Sequence, residues 1–108
     1  MIRARFYKGR ANAFLLRLTV NGVAVDPASV QKLLFKWPAR GARAAGSVDS
    51  ELHPAAFSRE INGWRINLGA LDLAVGDYMM TIVVFAPAFP EGMIFTPAEP
   101  ASIEILPG

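Results

Sequence analysis

The sequence predicts an all-β chain: one antiparallel β-sandwich domain over residues 1–108, built from about seven short strands. Three observations carry this. Large apolar side chains alternate with polar ones along most of the chain, the signature of strands with one dry and one wet face. Turn-forming residues recur at short intervals between the alternating runs. No run of apolar residues repeats convincingly at helical spacing.

The elements follow in order. Ile2, Ala4 and Phe6 alternate with Arg3, Arg5 and Tyr7 and form a first strand. Phe14, Leu16, Leu18 and Val20 form one face of a second. Asn21-Gly22 tolerates positive φ and turns the chain, with Val23 and Val25 extending a short ladder beyond it. Asp26-Pro27 ends that ladder, because proline lacks a donor and restricts its predecessor. Val30 to Trp37 is the third strand, with Leu33, Phe35 and Trp37 on one face. A helix from Pro27 to Phe35 competes; the alternation and the following Pro38 favour the strand. Residues 38–50 are small, glycine-containing and aperiodic, and read as a mobile surface loop.

Ala56 to Ile61 and Trp64 to Leu68 flank Asn62-Gly63 and predict a hairpin. Trp64, Ile66 and Leu68 face inward. Gly69 to Gly76 is a crossing turn that dips Leu71 and Leu73 into the core. Asp77 to Ala86 is the longest and most apolar run, expected at the centre of a sheet. Pro87, Pro90 and Gly92 interrupt the chain, Met93 to Phe95 is a short strand, and Ala101 to Leu106 closes the domain.

Composition bounds the chemistry. Of 108 residues, 53% are hydrophobic and 19% charged, which is a folding composition. There is no cysteine, so disulfides, thiolate metal sites and cysteine nucleophiles are excluded. The opening MIRARFYKGR lacks the apolar stretch of a signal peptide, and no apolar run approaches the roughly 20 residues of a spanning helix. The expectation is a soluble chain made in the cytoplasm, without a membrane partner. The net charge of +2 conceals an asymmetry: most basic residues precede Ala44 and nearly all acidic ones follow it. Interleaved strands would mix these charges.

The candidate chemistry is thin. His53, the single histidine, stands near Asp49 and Glu51 and offers a base or a ligand. A metal needs three or four ligands, and a solvated loop histidine is the simpler reading. Asp49 and Glu51 have the spacing of a carboxylate pair without a cleft to hold them. The serines lack a nucleophile-elbow context, and the glycines of 41–46 lack the lysine of a phosphate loop. Hence no catalytic residue, cofactor or metal is expected. Arg3, Arg5, Tyr7, Lys8 and Arg10, with Arg40 and Arg43, interleave base and aromatic, but the aromatic register points mostly inward, so nucleic acid is an unlikely partner. Trp37 and Trp64 would serve a carbohydrate platform only if they left the core. The run from Phe85 to Phe95 holds more large apolar residues than a solvated loop requires. Phe89, Met93 and Phe95 are the partner-binding candidates; the alternative is that they cap the open end of the sandwich, and both readings stay open.

Leu71-Asp72-Leu73-Ala74-Val75-Gly76-Asp77-Tyr78, followed by Met79 to Phe85, resembles the corner and central strand of immunoglobulin-like sandwiches. The preceding order is a basic first strand, a strand ending in Asn-Gly, Val-Asp-Pro and an apolar strand. It resembles the small immunoglobulin-like domains of bacteriophage tails, especially the N-terminal domain of baseplate upper proteins. The resemblance runs from about Arg5 to Ile105, departs at the proline- and phenylalanine-rich segment 86–97, and includes no receptor-binding domain. It implies a non-catalytic phage or prophage structural protein of a tail, baseplate or capsid. Such a protein acts by protein–protein binding to other virion proteins or to itself, and ends in a virion. The rival class is a carbohydrate-binding β-sandwich module.

Overall fold

The computed structural model describes residues 2–20, 22–95 and 101–108. Among them the chain forms eleven short strands and no α-helix. They are β1 (Arg3–Tyr7), β2 (Phe14–Leu16), β3 (Thr19–Val20), β4 (Val23–Ala24), β5 (Lys32–Trp37), β6 (Gly46–Asp49), β7 (Phe57–Arg59), β8 (Trp64–Ile66), β9 (Gly76–Ala86), β10 (Phe89–Ile94) and β11 (Ala101–Leu106). Strands β1, β11, β9, β5 and β6 lie side by side in one sheet, with β10 also on β9; β2, β8 and β7 form a second; β3 and β4 form a separate hairpin.

β9 organises the larger sheet. Its alternate residues Tyr78, Met80, Ile82, Val84 and Ala86 are all buried. One edge carries β5, with Leu33 opposite Val84 and Phe35 opposite Ile82. β10 and β11 also pair with β9: Ile94 lies opposite Val83, the Phe95 amide donates to the Ile82 carbonyl, and Ala101 lies opposite Met80. The position expected for this strand at the sheet centre is the observed one.

Both sheets supply one apolar core, which joins Phe6, Leu33, Phe35, Met80, Ile82 and Ile103 to Leu16, Phe57, Trp64 and Ile66. The Phe35 and Phe57 rings meet edge to face at 5.6 Å across it. Burying each such side chain stabilises the fold by roughly 1.5–3 kcal/mol.

Five expectations are corrected. β1 runs parallel to β11, with Phe6 opposite Ile105, so the larger sheet is mixed; alternation fixes which face a residue takes but not the direction of its neighbour. The run 14–20 is split, since β2 pairs with β8 whereas β3 pairs with β4. Four residues of the segment read as a mobile loop form β6, an edge strand on β5 whose small residues carry little apolar signal. The Phe57–Ile66 hairpin turns on Ile61-Asn62, because the Glu60 amide donates to the Gly63 carbonyl at 2.8 Å. Gly63 is there for a different reason: a Cβ on it would come within 2.4 Å of the Leu16 carbonyl oxygen. Finally, β10 begins at Phe89 rather than Met93. It tolerates Pro90 because it pairs on β9 alone, and Gly92, at φ 90°, sits in its register shift over Val83 and Phe85.

Candidate protein-interaction surface

Three connections converge at one end of the molecule. β5 starts there, with the Gln31 amide donating to the Phe85 carbonyl at 2.7 Å. β9 ends there and turns into β10 through Pro87 and Ala88. β7 also ends there, where Arg59 Nη2 donates to the Val30 carbonyl at 2.8 Å.

Between the β3–β4 hairpin and the Ile61-Asn62 turn lies an open groove of about 870 Å³. Leu18, Val25 and Pro27 line it on one side and Ile61 and Asn62 on the other. Val20 opposite Val23 leaves two residues for the first hairpin turn, and Gly22 takes φ 79°; Asn21 lies outside the described residues. Asp26 sets the groove's base: its carboxylate accepts from the Ala28 amide at 2.9 Å and caps a 3₁₀ turn over Pro27–Ser29. Ile61 is 90% exposed and Val23 is 69% exposed. Tight turns favour Gly, Asn and Asp, so a fully exposed isoleucine at such a tip runs against local preference, which is where function is to be sought.

The charges around the groove differ in availability. Glu60 accepts from Arg65 Nε at 2.7 Å. Arg59 lies over the Trp64 ring, 4.9 Å from its centroid. Arg17, also lining the groove, is exposed and has no charged partner among the described residues.

The other residues singled out in the sequence take structural positions. Asp49 is 8% exposed. Its carboxylate accepts from the Glu51 and Leu52 amides at 2.9 and 2.8 Å, while His53 Nδ1 accepts from the Asp49 amide at 3.3 Å. The cluster ties one loop together, and Glu51 points away from it to solvent. No group of three potential metal ligands forms among the described residues. Arg43 packs its guanidinium on the Tyr78 ring at 3.7 Å, so part of the basic loop folds inward. Arg5 pairs with Glu104 at 3.0 Å and Lys8 with Asp72 at 3.2 Å, so the two oppositely charged halves of the chain do mix.

Phe89 and Met93 lie opposite Ala86 and Val84 of β9, on its buried side. The Phe89 and Phe95 rings are 6.4 Å apart and both pack against the core. Each of the three is half-buried, and Ile94 is the exposed aliphatic of this arm. The groove and Ile61 were not singled out by sequence reasoning. The available signal was an isoleucine beside Asn-Gly, where a polar residue was due.

No helix among the described residues is long and apolar enough to cross a membrane. No family model matches the chain, and neither the curated proteins nor the solved structures contain a match.

Proposed function

We propose that this chain is an immunoglobulin-like β-sandwich that acts without catalysis, by binding protein, as a structural or assembly component of a phage tail, baseplate or capsid. The immunoglobulin-like reading is supported by a corner: buried Tyr78 enters β9 and donates its hydroxyl to the Ala74 carbonyl at 2.6 Å. Strand order supports it too. β2, β8 and β7 correspond to strands B, E and D, and β5, β9 and the β10–β11 edge to C, F and G, with β6 as an added C′ strand. Met80, two residues past the corner tyrosine, supplies apolar volume where antibody domains place a cysteine. The phage assignment rests on the sequence resemblance alone.

Protein binding is supported by one observation above the rest: the exposed turn residue Ile61 lines an open apolar groove whose other wall comes from the hairpin that carries exposed Val23. Binding sites concentrate on loops held by a rigid scaffold, and exposed apolar clusters mark interfaces. Phe89, Met93 and Phe95, half-buried on β10 and just after it, are a second candidate surface under the same reading. A carbohydrate platform finds less support. Trp64 is 4% exposed, and Trp37 lies against Gly46 with its ring edge-on to Tyr78 at 5.2 Å.

Two tests apply. Neighbouring genes for tail, portal or fibre proteins support the virion assignment, and metabolic neighbours refute it. For the binding end, Ile61→Asp keeps the unfolding free energy within about 0.5 kcal/mol, since the side chain is solvated, and abolishes co-sedimentation with assembled particles. Full retention in particles refutes the assignment of this groove.

A further inference from the structure

The geometry points to head-to-tail self-association, in which Leu52 of one copy enters the groove of the next and Glu51 pairs with Arg17. This rests on the protein-binding reading above and names a second copy of the chain as a partner of that site.

The knob is built. Leu52 is 78% exposed, yet its loop is held by hydrogen bonds at both ends. The Asp49 carboxylate accepts from the Glu51 and Leu52 amides, the His53 amide donates to the Asp49 carbonyl at 2.9 Å, and the His53 ring accepts from the Asp49 amide. Ser50 fastens the loop to β5 twice: its amide donates to the Leu33 carbonyl and its hydroxyl accepts from the Leu33 amide, both at 3.0 Å. An aliphatic side chain presented on a preorganised turn loses little entropy when it docks.

The groove offers the complement. Its wall is aliphatic at Leu18, Val25 and Ile61, and Arg17 lines it as an exposed cation with no charged partner among the described residues. Of the two exposed large aliphatics that directly follow a carboxylate, Ile61 follows Glu60, which Arg65 already engages. Leu52 follows Glu51, which is exposed and has no charged partner among the described residues. An apolar knob beside an exposed carboxylate thus matches an apolar groove beside an exposed guanidinium. The knob spans residues 49–53 and the groove is formed by residues 17–19, 24–28 and 59–62. The two patches share no residue, so one copy can offer its knob while its own groove receives another copy's, and a contact repeated in that one direction propagates as a ring or a filament. One knob covers less area than a standard interface, so the association is weak.

Sedimentation velocity of the purified chain over a concentration series tests this. The weight-average mass of the native chain is expected to rise with concentration. Leu52→Asp and Arg17→Glu each weaken association by at least about tenfold. Glu51→Arg weakens it similarly, and the Glu51→Arg/Arg17→Glu double variant regains it. Leu52→Asp keeps its groove and Arg17→Glu keeps its knob, so mixing them yields a one-to-one dimer that grows no further. A native chain that stays monomeric at millimolar concentration, variants that associate like the native chain, or a mixture that forms no dimer would each overturn the inference. Because the assay contains this chain alone, monomeric behaviour overturns self-association and leaves binding to other proteins to the particle test above.

Discussion

Replacing Tyr78 with phenylalanine isolates the corner on which the fold assignment leans. The ring is buried, sits beneath Arg43 and meets Trp37 edge to face. Phenylalanine preserves that ring volume and both ring contacts, and removes the hydroxyl that donates to Ala74 across 2.6 Å. The net value of such a bond is about 0.5–1.5 kcal/mol. The bonded carbonyl belongs to an exposed residue, so water can replace part of the loss, which places the expected cost near 1 kcal/mol. For a chain of this size that lowers the melting temperature by about 4 °C. Urea unfolding followed by the fluorescence of Trp37 and Trp64 reads the change as a lower midpoint at constant slope. Unchanged stability, or a loss above about 3 kcal/mol, would refute the reasoning. The first result would mean the hydroxyl anchors nothing; the second would mean its removal disturbs packing beyond one bond.

Four further outcomes follow from the same structure. Gly63→Ala drives a methyl into the Leu16 carbonyl and forces β2 from β8, so it should cost upwards of about 2 kcal/mol in urea unfolding. Asp49→Ala leaves the Glu51 and Leu52 amides without their acceptor; about 1–3 kcal/mol is lost, and hydrogen exchange at those two amides accelerates. Arg59→Ala removes both the cation over Trp64 and the bond to the Val30 carbonyl. It should cost about 1–2 kcal/mol and shift tryptophan emission, whereas His53→Ala, which gives up one 3.3 Å contact, costs less.

Much of the fold was legible because alternation reports burial directly. Phe6 of β1, Leu33 and Phe35 of β5, the Trp64, Ile66 and Leu68 face, and Ile103 and Ile105 of β11 were read from local pattern and are buried, whereas Ile2, Ala4 and Trp37, read as inward with them, are only partly buried. Where the local signal is weak, the reading failed. Gly46, Ser47 and Asp49 carry no apolar periodicity, yet β6 forms because β5 offers an open edge with backbone partners. Asp49 looked solvated until the amides it accepts from came into view. The candidate site was hardly legible at all. Its walls come from residues 17–19, 24–28 and 59–62, and no local pattern says that these stretches face each other.

Composition and periodicity determined that this chain makes strands, which side of each strand stays dry, and that no thiol chemistry is available. Strand direction, the neighbours of each edge, and the meeting of the β3–β4 hairpin with the Ile61-Asn62 turn around a groove emerged only when the chain closed on itself. The reason is physical. A side chain's preference for water or for the interior acts at its own position, and so is written residue by residue. Pairing between strands is made by backbone groups that are the same in nearly every residue, so partner and direction are settled by how the whole core packs.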